Sequence, residues 1–127
     1  MEFYFPTEFG EQVAFASAVI TAILGVVVMF APGLSLSVFG LQPREGRVEG
    51  LAEVRSAGGA YLGFAGTALL LAQPTVYLAL GAALVMAAFA RILSILSDRG
   101  NSLRNILFLV VQLILAALPL SYVFGLI

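Results

Sequence analysis

Two ionisable side chains of opposite charge lie inside long apolar stretches of the sequence. Glu53 lies in the first turn of the stretch 51–72, and Arg91 lies near the end of the stretch 76–96. A charged side chain inside a membrane span is costly unless it is paired, and such residues usually mark function. Because a short turn joins the two stretches, we expect antiparallel neighbours that place Glu53 beside Arg91. This pair would form a polar site within an apolar bundle.

Further polar side chains fall at similar depths on the neighbouring stretches. At about 100° per residue, Arg91 and Ser94 share one helix face, and Asn105 and Gln112 share a face of the last stretch. The predicted ligand-binding residues are Glu53, Arg55, Tyr61, Arg91, Ser94, Asn105 and Gln112. The alternative is a structural role, in which the same residues form ion pairs near the membrane interface and hydrogen bonds between helices.

Acid–base catalysis has two candidates, Glu53 and Asp98. The chain contains no histidine, cysteine or lysine, so the commonest general base, thiol chemistry and Schiff-base chemistry are excluded. The pair Gly58-Gly59 lies inside a predicted helix with no strand before it, which argues against a phosphate-binding loop. We therefore predict no metal and no cofactor, and the catalytic role of the two carboxylates stays open.

The composition is that of a membrane protein. Of the 127 residues, 61% are hydrophobic and 10% are charged, whereas soluble domains have about 25% charged residues. The mean hydropathy is +1.08. The net charge of −1 gives no reason to expect a nucleic-acid partner.

The predicted fold is all-α: a four-helix transmembrane bundle that forms one domain over residues 1–127. A span needs about 20 apolar residues, and the predicted spans are 13–31, 51–72, 76–96 and 103–125. The segment 34–41 is too short to cross and predicts an interfacial helix or re-entrant piece. Small residues favour close helix packing, and they occur at Ser17, Thr21 and Gly25 in the first span and at Gly58, Gly59 and Gly63 in the second.

Four spans place both termini on one side of the membrane, and the charges indicate which side. All six basic residues fall at one predicted face, namely Arg44, Arg47, Arg55, Arg91, Arg99 and Arg104. The opposite face carries Glu2, Glu8 and Glu11. The positive-inside rule then predicts a multi-pass membrane protein with both termini outside and both charged loops in the cytoplasm.

Glu53, Arg55 and the pair Gly58-Gly59 in the second span are followed by Arg91 and by Asp98 with Gly100 two residues later. This set resembles a domain-of-unknown-function family of small bacterial four-helix membrane proteins, itself distantly similar to the DoxX-like proteins. The resemblance covers most of the chain from about Val13 and marks six residues: Glu53, Arg55, Gly58, Gly59, Arg91 and Asp98. Arg99 departs from the family pattern, in which the acid more usually precedes glycine directly. The family has no established activity, so the resemblance supports the fold more than the function. It also implies a location in the bacterial inner membrane.

The function predicted from these observations is binding of a small apolar or amphipathic molecule, such as a lipid or isoprenoid. Glu53 and Arg91 would hold its polar end, and Tyr61 and Gln112 would line the cavity. Membrane lipid is the expected partner, and a homo-oligomer is expected because four short helices enclose little volume.

Two alternatives stay open. The first is a membrane-embedded isomerase or cyclase in which Glu53 or Asp98 donates a proton. The second is a small proton-coupled transporter in which Glu53 titrates. Transporters often contain internal repeats, and no convincing repeat relates the two halves of this chain.

Overall fold

The computed structural model describes residues 6–41, 49–97 and 103–127, and these residues form five helices and no strands. The helices are α1 (Phe9–Phe30), α2 (Pro32–Phe39), α3 (Glu49–Leu71), α4 (Pro74–Ser97) and α5 (Leu103–Val123). The all-α prediction is confirmed for this part of the chain. The four predicted spans correspond to α1, α3, α4 and α5, and the predicted short segment corresponds to α2. Asp98, Arg99 and Gly100 lie outside the described residues, as do Arg44 and Arg47.

Three of these helices, α1, α4 and α5, are long and apolar enough to cross a membrane. α3 has a similar length but is less apolar, because its first turns carry Glu49, Glu53 and Arg55. Large apolar side chains cover the outside of the bundle; Leu96, for example, is 77% exposed and Phe30 is 71% exposed. Such a surface suits lipid and not water, so the fold supports a membrane-embedded protein.

The short helix α2 follows α1 directly. Pro32 is its first residue, where the missing N–H of proline costs nothing. Gly40 ends it with a φ of 78°, a left-handed conformation that glycine adopts without strain. The N–H of Leu41 then donates to the carbonyl of Leu36 at 2.7 Å, which completes a Schellman-type cap.

α1 and α3 cross at two glycines. A methyl group on Gly58 would lie 2.6 Å from the backbone nitrogen of Met29 and 2.7 Å from the carbonyl oxygen of Gly25. A methyl group on Gly25 would lie 2.7 Å from the carbonyl oxygen of Gly58. Only glycine permits this backbone contact. The other two glycines predicted for packing, Gly59 and Gly63, lie outside this contact. A methyl group on Gly59 would lie 3.5 Å from Met29 Sδ, and one on Gly63 would meet no atom of the described residues within 4 Å.

A buried hydrogen bond ties α1 to α5. Pro119 lies within α5 and has no N–H, so the carbonyl of Leu115 loses its usual partner four residues later. The Ser17 hydroxyl of α1 donates to that carbonyl at 2.6 Å. Because an unsatisfied carbonyl costs several kcal/mol in an apolar medium, the serine compensates for the proline. The small-residue face of α1 therefore contacts α5 through Ser17 and α3 through Gly25.

The helices associate as two pairs, α1 with α3 and α4 with α5. The expectation that α3 and α4 form a tight hairpin is wrong, since they make few contacts although only Ala72 and Gln73 separate them. The glycine crossing holds α3 against α1. The core that joins the pairs consists of Ala14, Ala18, Ala65, Ala68, Tyr77, Leu80, Leu84, Leu115 and Ala116.

We expect Gly58→Ala to destabilise the protein by about 1–3 kcal/mol, because the added methyl group would force α1 and α3 apart. The matched control is Gly66→Ala in the same helix, where a methyl group would meet no atom of the described residues within 4 Å. It should leave stability unchanged or raise it by up to about 1 kcal/mol through helix propensity. Unfolding by SDS titration in mixed micelles measures both. Equal effects of the two substitutions would contradict the crossing.

Ser17→Ala should destabilise the protein by about 1–2 kcal/mol, because it leaves the Leu115 carbonyl without a donor. The cost should shrink when Pro119→Ala is also present, since the new N–H at position 119 satisfies that carbonyl within the helix. The same titration on the double-mutant cycle measures the coupling. Ser94→Ala is the control, because no hydrogen bond of the Ser94 side chain occurs among the described residues. If Ser17→Ala destabilises the protein equally with and without Pro119→Ala, then Ser17 does not compensate for the missing N–H of Pro119.

Candidate functional site

A cavity of about 480 Å³ lies between the two helix pairs. All five helices contribute to its lining. Most of the wall is apolar and includes Leu84, Leu115 and Phe39 of α2. The polar lining residues are Thr21, Tyr61, Arg91 and Gln112. Ligand pockets in proteins typically have this volume and this composition of apolar wall with few polar groups.

Arg91 is held by side chains from one face of α5. Its Nε donates to Gln112 Oε1 at 2.9 Å, and its Nη1 donates to Asn105 Oδ1 at 2.6 Å. The guanidinium carbon lies 5.5 Å from the centre of the Phe108 ring, within reach of a cation–π interaction. Residues 105, 108 and 112 follow helical spacing, so they lie on the same face of α5. The sequence pattern identified both amides, but it missed Phe108, whose spacing between them was the available signal.

Glu53 is exposed and does not line the cavity. No ion pair joins Glu53 to Arg91, although both belong to the described part of the chain, so the predicted Glu–Arg pair is replaced by Arg91 with two amides. The reason is the helix pairing: α3 packs against α1 and makes few contacts with α4. The catalytic and transporter roles considered for Glu53 gain no support from this position. Asp98, the other catalytic candidate, lies outside the described residues.

Arg55 has a structural contact. Its Nη1 donates to the carbonyl of Met29 at 2.8 Å. Met29 belongs to the last turn of α1, where backbone carbonyls lack partners within the helix, and arginine side chains commonly satisfy them. Arg55 therefore caps α1 and strengthens the contact between α1 and α3. Arg55 and Ser94 are both absent from the cavity lining.

Thr21 lines the cavity but was not among the predicted ligand-binding residues. The residue is 2% exposed, and its hydroxyl has no hydrogen-bond partner among the residues that the structure describes. An unsatisfied buried hydroxyl costs about 1–3 kcal/mol. An occupant of the cavity with a polar atom at this level would relieve that cost. The available signal was the position of Thr21 between Ser17 and Gly25 on one face of the first span.

Helix α2 closes one side of the cavity through an aromatic contact. The rings of Phe39 and Phe108 meet edge to face, with centres 5.1 Å apart and planes at 79°. Phe108 therefore contacts both Arg91 and α2. On the outer side of the same junction, the Arg104 side chain packs against Gly40.

Comparisons with protein families, with curated proteins and with solved structures gave no match to this chain. The resemblance to DoxX-like proteins stays a prediction. Among the described residues, no three histidine, cysteine, aspartate or glutamate side chains lie close enough together to hold a metal ion. The function is therefore argued from the cavity and its polar groups.

Proposed function

We propose that this is a membrane-embedded protein that binds a small amphipathic molecule, such as a lipid or an isoprenoid, in the cavity between its helix pairs. The observation that carries the proposal is an arginine fixed by two amides at the wall of an apolar cavity of about 480 Å³. The apolar wall suits a hydrocarbon chain, and Arg91 suits the polar end.

The cavity is partly open to the surroundings of the bundle. Leu24 of α1 and Val111 of α5 line it and are 45% and 44% exposed, and the lining residue Ala57 of α3 is also exposed. In a bilayer, these surfaces would face the acyl chains of lipids. A hydrophobic ligand would then enter sideways from the membrane without crossing water.

We further propose that α3 is a fourth crossing. A methyl group on Gly10 would lie 2.9 Å from the carbonyl oxygen of Ile127, so the start of α1 and the end of the chain share one end of the bundle. A chain that returns to the side where it began crosses an even number of times. Three crossings by α1, α4 and α5 therefore require a fourth, and α2 has only 8 residues. The remaining helix is α3, whose 23 residues reach about 34 Å.

We also propose the bacterial inner membrane as the location, and the same arrangement favours an orientation with both termini outside. Arg55 near the start of α3 and Arg104 near the start of α5 lie at the end opposite to Gly10 and Ile127. The positive-inside rule assigns that end to the cytoplasm. The predicted homo-oligomer stays a prediction.

Cysteine labelling tests the number of crossings, because the native chain has no cysteine. Thr7→Cys, Leu41→Cys and Gln73→Cys each place one thiol at an exposed position. With four crossings, an impermeant maleimide should label positions 7 and 73 from outside intact cells and position 41 only after permeabilisation. Protection of position 73 together with position 41 would show that α3 does not cross.

Ligand binding should depend on free volume in the cavity. Ala57→Leu would fill part of it and weaken lipid or isoprenoid binding by about tenfold or more. Ala60→Leu is the matched control, since Ala60 is an exposed alanine of the same helix that does not line this cavity. Native mass spectrometry of co-purified lipid, together with melting-temperature shifts on lipid addition, measures the effect. Absence of any bound or stabilising lipid in the unmodified protein would refute the proposal.

A further inference from the structure

We propose that the polar end of the ligand is an anion, a carboxylate or phosphate attached to an apolar chain, and that Arg91 binds it. This inference rests on the proposed function and specifies the class of ligand. It follows from the charge, the free donors and the surroundings of Arg91.

The charge of Arg91 is not neutralised by its hydrogen-bond partners. Both partners, Gln112 and Asn105, are neutral amides that accept through oxygen. No carboxylate within the described ranges bonds to the guanidinium, and Glu53 is exposed on a helix that packs elsewhere. A cation in a largely apolar cavity is expensive without a counter-charge. An anionic ligand would supply that counter-charge.

The guanidinium also keeps donors for a ligand. Arginine has five N–H groups in a planar fork, and the two hydrogen bonds of Arg91 use one on Nε and one on Nη1. The remaining N–H groups, on Nη1 and Nη2, can reach two oxygens of a carboxylate or phosphate. The two amides and the Phe108 ring fix the guanidinium before any ligand arrives, which reduces the entropy lost on binding.

The rest of the cavity requires the anion to carry an apolar chain. Apart from Arg91 and Gln112, the described residues that line the cavity contribute only the hydroxyls of Thr21 and Tyr61 as polar side-chain groups. A free inorganic anion would leave the apolar wall uncovered. An amphipath would place its anion at Arg91 and its chain along residues such as Leu84 and Val28.

The test compares four probes on the full chain, purified in an uncharged maltoside detergent: dodecanoate, dodecyl phosphate, dodecanol and inorganic phosphate. Melting-temperature titrations give the apparent affinities, and native mass spectrometry gives the stoichiometry. Dodecanoate and dodecyl phosphate should bind at least about tenfold more tightly than dodecanol, because a hydrogen bond to a charged group is stronger than one to a neutral group. Inorganic phosphate should not bind measurably.

Three variants assign the preference to Arg91. Arg91→Gln should abolish the preference for the anion while dodecanol still binds, which also shows that the variant folds. Arg91→Lys should keep a weaker preference, because the charge remains but the fork of donors is lost. Arg104→Gln is the control for general charge attraction, since Arg104 is exposed and does not line the cavity. It should keep the full preference.

The outcomes separate this inference from the proposed function. If dodecanol binds as tightly as dodecanoate, or if Arg91→Gln keeps the preference, the anion assignment is wrong and amphipath binding stands. If inorganic phosphate binds through Arg91 as tightly as dodecyl phosphate, the alkyl chain of the ligand contributes nothing to binding and both proposals fail. If none of the four probes binds, the proposed function itself fails.

Discussion

The backbone contact between Gly25 and Gly58 determines where the interior of this bundle is hollow. Because two backbones touch there, α3 packs along α1 and separates from α4, its neighbour in the chain. α4 then packs on α5, and the Ser17–Leu115 hydrogen bond joins α1 to α5. The gap that remains between the two pairs is the cavity. Two positions without side chains therefore determine the position of a site that they do not themselves line.

Hydrogen bonding in an apolar medium explains most of the polar side chains. Water cannot satisfy backbone groups inside a membrane, so another part of the protein must do so. Ser17 satisfies the carbonyl released by Pro119, and Arg55 satisfies a carbonyl at the end of α1. The exceptions are informative. Among the described residues, the Thr21 hydroxyl and the remaining N–H groups of Arg91 lack hydrogen-bond partners, and both residues line the cavity. The Tyr77 hydroxyl also lacks a partner among them, but it lies in the core.

The positions of the helices followed from the sequence, whereas their pairing did not. Runs of apolar residues predicted α1, α4 and α5 to within a few residues, and the predicted short segment 34–41 overlaps α2. α3, however, carries glycines both at Gly58 and at Gly63, so either face permits a close neighbour. Chain connectivity favoured α4 as that neighbour, and the structure has α1. The Glu53–Arg91 pair depended on this choice. The prediction that Asn105 and Gln112 share a helix face did not depend on how the helices pair, because helical spacing alone places them together.

Arg91 bonds to two neutral amides and not to the predicted carboxylate, so the site keeps a positive charge. A Glu53–Arg91 pair would have been neutral, and a neutral pair offers a ligand little electrostatic attraction. Amides orient the guanidinium and satisfy part of its hydrogen-bonding capacity, but they leave its charge intact. In a cavity with few polar groups, that charge is screened far less than in water, so it acts strongly on whatever enters. An uncompensated charge in such a cavity is unfavourable, and this is the physical basis of the proposal that an oppositely charged amphipath occupies it.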